Sequence, residues 1–106
     1  MEKADVDLLN QILALTRSEK VKWKEDIEDN SFSVTLKDRY AVQTWQNSHF
    51  DVFVKITRSD GVELFSFTEP IDEPRSEIFS VFSAAKESAL GIEKAREDIR
   101  KLLTEL

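Results

Sequence analysis

The stretch KEDIEDN, residues 24–30, crowds Glu25, Asp26, Glu28 and Asn30 around Ile27 and Asp29, the densest set of oxygen donors in the chain. Asp26, Glu28 and Asn30 alternate as the first ligands of a calcium-binding helix–loop–helix do. That loop also needs a glycine at its sixth position and a bidentate Glu at its twelfth. Counted from Asp26, those positions hold Ser31 and Lys37, and the first glycine of the chain is Gly61. The motif fails. A few carboxylates could still hold magnesium, but the spacing predicts a solvated loop, and no metal ligand is assigned.

A second set of residues has the types of a nucleophilic triad: Ser48, His49 and Asp51, with His49 the single histidine. Triad members converge from separate elements, because near neighbours cannot all aim into one proton relay. No Gly-x-Ser-x-Gly elbow accompanies them, so His49 is expected in an exposed turn. With 21 Asp and Glu residues in the chain, some pair of carboxylates always exists, and a pair alone carries no information about acid–base catalysis. Phosphate loop, dinucleotide fingerprint and His-Glu-x-x-His zinc helix are all missing from the sequence. The absence of cysteine excludes disulfides, thiol nucleophiles and Cys-held metal centres. The expectation is therefore no enzyme and no cofactor.

Lys22-Trp23-Lys24 and the segment from Lys55 to Arg58 mix aromatic or apolar residues with bases, as single-strand-binding surfaces do. The adjoining acids and a net charge of −6 oppose contact with phosphates, so nucleic acid is not expected as a partner. The segment MEKADVDLLNQILALT has an acidic start and a broken apolar run, which does not read as a secretory signal. No apolar run reaches the ~20 residues of a membrane span. A cytoplasmic protein is the expectation.

These residues must be positioned by one domain, residues 1–106, which suits a chain with 41% hydrophobic and 34% charged residues and only two Gly and two Pro. Val6, Leu9, Ile12, Leu13 and Thr16 recur at helical spacing and predict a helix from Asp5, its candidate N-cap, to about Ser18. From Val21 to Thr68 the period falls to two. Phe32, Val34 and Leu36, then Tyr40, Val42 and Thr44, then Phe50, Val52, Val54 and Ile56, then Val62 to Phe67, predict an antiparallel meander of four strands. Val21 to Lys24 is a candidate fifth strand. Helical spacing returns after Pro74, a candidate first-turn residue. Ile78, Val81, Phe82, Ala85 and Ala89 share one face, Gly91 is a C-cap, and Ile92, Ala95, Ile99, Leu102, Leu103 and Leu106 form the stripe of a last helix. The expected fold is α+β: a helix, a four- to five-stranded meander and two C-terminal helices packed on the sheet.

Register arithmetic places the functional question. A three-residue turn at Lys37–Arg39 pairs Val34 with Val42. A three-residue connection at Asn47–His49 pairs Val42 with Val54. A two-residue Asp60-Gly61 turn of type I′ pairs Ile56 with Phe65 and Val54 with Phe67. All three keep the even-numbered apolar residues of the first three strands on one buried face, joined by Phe65 and Phe67. The opposite face then carries Trp45, Phe53, Val62 and Leu64 among Ser, Thr, Lys and Asp, with Trp45 diagonal to Phe53. Large apolar residues do not cluster in water without a cover. A helix of the same chain, a second copy, another protein or a small ligand could supply it.

The order of elements resembles that of small uncharacterised bacterial or phage α+β domains. The residues that carry this are Leu9, Thr16, Trp23, Phe32 and the Ala-Leu-Gly-Ile turn at 89–92. The resemblance implies an α+β fold and no activity. The function expected from the residues is a small protein–protein interaction module, a homodimer being one form of it, in which Trp45, Phe53, Val62 and Leu64 make contact. The alternative is a small-molecule-binding domain with an aromatic-lined cavity between sheet and helices.

Overall fold

A computed structural model describes residues 2–72 and 76–106. Helix α1, Lys3–Arg17, is followed by five strands: β1 Lys24–Asp26, β2 Ser31–Leu36, β3 Tyr40–Gln46, β4 Val52–Arg58 and β5 Glu63–Glu69. Helices α2, Glu77–Leu90, and α3, Ile92–Thr104, complete the chain. The strands form one antiparallel sheet in the order β1-β2-β3-β4-β5, so the α+β class and the meander are as the residue pattern predicts.

Helix α2 lies across all five strands and is the helix that covers the sheet. Its Ile78, Val81, Phe82, Ala84 and Ala85 are buried against Phe32, Val34, Val42, Val54 and Ile56. Helix α1 adds Leu9, Ile12 and Leu13 to the same cluster and lies against α2; among the described residues its backbone comes close to no strand. Helix α3 differs from the expectation. Among the described residues it comes close to no element but α2, and none of its residues is buried. Gly91, at φ +63°, ends α2 in the left-handed conformation that glycine adopts without strain and redirects the chain away from the sheet. Of the two C-terminal helices, therefore, only α2 packs on the sheet.

Local chemistry explains where other boundaries depart from expectation. Helix α1 starts earlier than Asp5, with Glu2 as its N-cap and no side-chain cap bond. At α2 the cap is Ser76, whose Oγ accepts from the Ile78 N–H (3.2 Å), while its own N–H donates to the buried Glu69 carboxylate at the end of β5. Pro74 lies outside the described residues. The first strand begins at Lys24 rather than Val21, because the Trp23 N–H donates to Ser88 Oγ on α2 (3.1 Å) instead of to a neighbouring strand.

The turns also reverse one expectation. Lys37 and Asp38 both take positive φ (+50° and +58°), and the Arg39 N–H donates to the Leu36 carbonyl, so the hairpin without glycine has type I′ geometry. The Asp60-Gly61 hairpin does not. Only Gly61 has positive φ (+90°), the Gly61 N–H donates to Arg58 O and the Arg58 N–H to Val62 O, which makes a three-residue loop. A bulge between Ile56 and Thr57 then restores the expected pairs Ile56–Phe65 and Val54–Phe67. The Arg58 guanidinium, and after it the Val62 N–H, hold the exposed Asp60 carboxyl below its ordinary range and clamp this turn.

Between β3 and β4 the connection is Asn47–Asp51, not Asn47–His49. Asn47 Oδ1 accepts from both the His49 and the Asp51 N–H (2.9 Å each), and Phe50 adopts φ +65°. The pairing moves by two residues, to Val42–Ile56, which preserves the faces. Phe50, expected on the buried face, is 59% exposed in this turn. Phe65 is also outside the core: it lies opposite Ile56 on the edge strand, 39% exposed and stacked on Phe67.

Trp23 is the joint of the domain, 1% exposed, with its Nε1–H donating to Thr16 Oγ1 (3.0 Å) and Thr16 Oγ1 donating to the Ile12 carbonyl (2.8 Å). Replacing Thr16 by Val should strand the buried indole N–H and cost about 1–3 kcal/mol in urea unfolding, whereas Thr16→Ser, which keeps the acceptor, should cost less. A loss in Thr16→Ser larger than that in Thr16→Val would mean that the methyl group, not the hydroxyl, matters there.

Candidate functional site

The acidic segment divides between a strand and a turn. Glu25 and Asp26 belong to β1, and Ile27 to Asn30 form the turn into β2, with Asp26 Oδ1 accepting from the Asp29 N–H (3.2 Å). All of these residues are exposed, and among the described residues no group of three or more His, Asp or Glu side chains is placed to hold a metal ion. At the second cluster the Asp51 carboxylate accepts from the Ile71 N–H (3.1 Å) and from Asn47 Nδ2 (3.4 Å), while His49 and Ser48 stand exposed in the turn. Asp51 orders the chain after β5 and makes no hydrogen bond to His49.

The sheet face opposite α2 is where the geometry is distinctive. The two-residue change in register puts Trp45 directly across from Phe53 rather than diagonal to it. Their rings stack at 5.2 Å between centroids and 10° between planes, and Lys55 Nζ sits 5.6 Å from the Trp45 centroid. Ser31 is the residue opposite Trp45 on β2, 2% exposed, and its Oγ accepts from Gln43 Nε2 (2.9 Å). Trp45, Phe53, Gln43 and Lys55 are each half-buried; among the described residues α1 and α3 come close to no strand, and α2 packs on the other face.

The other two expected contact residues are elsewhere on the strip. Val62 closes the hairpin loop opposite Arg58, 45% exposed, and Leu64 is the extra residue of the bulge, 41% exposed. From Phe53 to Thr57, beside that bulge, is a distance of about 13 Å at ~3.3 Å per residue. The structure thus brings Trp45 and Phe53 together and leaves Val62 and Leu64 at the far end of the same sheet region.

A second apolar surface was legible as a stripe but not as a surface. On α3, Ile99 is 55% exposed, Leu102 60% and Leu103 63%. Ion pairs run within the helix, from Arg96 to Glu93 and from Lys101 to Glu97, and do not tie it to the domain. The available signal was charge density: eight of the fifteen residues from Ile92 to Leu106 are Asp, Glu, Lys or Arg, which leaves a stripe too narrow for a helix embedded in a core.

Cavities offer little to a ligand of the expected kind. A cleft of about 580 Å³ opens where the end of α1 meets the α2–α3 junction, lined by Arg17, Glu19, Lys22, Glu87, Glu93 and Lys94 among others, with no aromatic side chain and away from the sheet. A hollow of about 80 Å³ beside Phe50 and Phe79 is far below the ~300 Å³ at which small-molecule sites begin. The chain matches no protein-family model, no curated protein and no solved structure.

Trp45→Ala should leave a folded domain, losing about 1 kcal/mol for the ring pair and its cover of Ser31. Trp23→Ala should cost ~3–5 kcal/mol, the range for an emptied core site. Chemical denaturation followed by circular dichroism compares the two. Unfolding of the Trp45 variant would place that ring in the core and remove this face from consideration.

Proposed function

We propose that the protein is a small protein–protein interaction module that acts by burying apolar surface and performs no chemistry of its own, working in the cytoplasm, where a cysteine-free chain meets no redox constraint. One observation carries the reading: α3 presents Ile99, Leu102 and Leu103 to solvent while contributing nothing to the core. Burying a large aliphatic side chain stabilises by about 1.5–3 kcal/mol, so three left in water on one helical stripe represent association free energy not used by the fold. The stacked Trp45–Phe53 pair on the open sheet face adds an aromatic anchor of the type enriched at contact surfaces.

The variant Leu102→Glu/Leu103→Glu separates folding from association. Its unfolding midpoint, measured at low protein concentration, should fall within about 0.5 kcal/mol per substitution of the wild type, as for solvent positions. Used as bait beside the wild type in a lysate of the encoding organism, with self-association followed by light scattering, it should lose the partners that the wild type retains. Identical retention and identical mass in both proteins would overturn the reading.

A further inference from the structure

The chain carries two unpaired halves of one packing unit: an amphipathic helix without a sheet, and a sheet face without a helix. We infer that the partner is a second copy, in a two-fold dimer where α3 of each protomer lies across the open sheet face of the other, over Trp45 and Phe53. The inference rests on the interaction reading above and names its occupant.

Dimensions suit the docking. Thirteen residues make α3 about 20 Å long, and five strands spaced about 4.8 Å apart present a face of about the same width. Helix α2 already spans the other face in this way. Area decides between the two ways in which copies could meet. A helix footprint about 20 Å long and about 10 Å across covers about 200 Å². Contact between the two α3 helices alone removes that patch from two surfaces, about 400 Å², the size of a packing contact. Reciprocal docking removes it from four, about 800 Å² in projection and more in accessible area, which approaches the ~1,000–1,200 Å² at which stable interfaces begin. An isologous pair also uses both unpaired surfaces twice, whereas a foreign helix or a foreign sheet would leave one of them in water.

Charge agrees with this occupant. The chain has a net charge of −6, yet residues Ile92 to Leu106 hold four acids and four bases, so the docking element brings no excess negative charge to its partner. In the row of Trp45 and Phe53 the open face bears Asp26, Ser31 and Thr68, and in the next row Lys24, Ser33, Gln43, Lys55 and Ser66, two bases to one acid, with Glu63 farther along opposite Thr57. Helix α3 carries Glu97 and Asp98 next to Ile99.

The cysteine-free chain allows a direct test. Single variants Ile99→Cys, Leu102→Cys and Leu103→Cys on the helix are each mixed in equal amounts with Gln43→Cys on the sheet, oxidised, and weighed by denaturing mass spectrometry. The dimer predicts that at least one mixture gives a mixed disulfide at several times the yield of either homodimer. It also predicts that acrylamide quenching of Trp45 falls several-fold as protein concentration rises, Trp23 being too buried to contribute. Homodimers of the helix variants in greater yield would replace this arrangement with an α3–α3 contact. A double variant Ile99→Cys/Gln43→Cys that closes its disulfide within a monomer would show that α3 covers its own sheet, which also overturns the inference. A wild-type monomer at all concentrations, with quenching unchanged, would overturn it as well; partners still retained by the wild type and lost by Leu102→Glu/Leu103→Glu would then leave the interaction reading standing on its own.

Discussion

Trp23 ties the two buried helices, α1 and α2, to the start of the sheet. Its ring is enclosed by the core, its Nε1–H reaches Thr16 on α1, and its backbone N–H reaches Ser88 on α2, sixty-five residues further along the chain. A buried N–H left unpaired costs as much as several ordinary contacts contribute, so Trp23 settles only where both acceptors are in reach. That requirement brings the end of α1 to the last turn of α2 and starts β1 immediately afterwards. Thr16 serves both directions, accepting from the indole and donating to Ile12 O, which leaves no lone polar atom at the centre of the joint. Tertiary hydrogen bonds of this kind stabilise modestly on net, but they select one helix arrangement from the many that bury similar apolar area.

With α1 and α2 fixed on one face of the sheet, the fold is complete before α3 begins. Gly91 marks the division. Beyond it the chain keeps helical spacing but stops contributing to the core, and the apolar stripe faces water. On the opposite side, Trp45 and Phe53 shield each other and the buried Ser31, and Lys55 lies over the indole. That is partial cover, sufficient for a folded monomer and incomplete for two of the largest apolar side chains in the chain. The proposed interaction rests on this division, in which the core closes without two of its apolar surfaces.

Much of this was legible in residue spacing, and the misses share physical causes. The faces of β2, β3 and β4 follow from alternation alone, because a change of two residues in register, such as the one at Asn47–Asp51, leaves parity intact. What alternation could not supply was the length of that loop, set by the Asn47 side chain, and with it the direct stacking of Trp45 on Phe53. Turn chemistry misled at Asp60-Gly61, where glycine takes the left-handed site of a three-residue loop, while Lys37-Asp38 adopts type I′ angles that no residue preference announced. For α3 the stripe was plain but its burial was not, since a helical period is the same whether the helix packs on its own sheet or on another molecule. Trp23 read as part of a candidate strand from Val21 to Lys24; that its backbone would bond to Ser88 rather than to a strand depends on contacts too distant in sequence for any pattern to encode.

Hydrogen exchange read segment by segment, at high and at low protein concentration, tests most directly whether the core closes without α3 and the outer sheet face. The account predicts slow exchange in α1, α2 and the central strands at both concentrations. For α3 it predicts protection that falls by at least tenfold on dilution. Protection of α3 that equals that of α2 and is indifferent to dilution would contradict it, because the last helix would then belong to the folding unit rather than to its contacts.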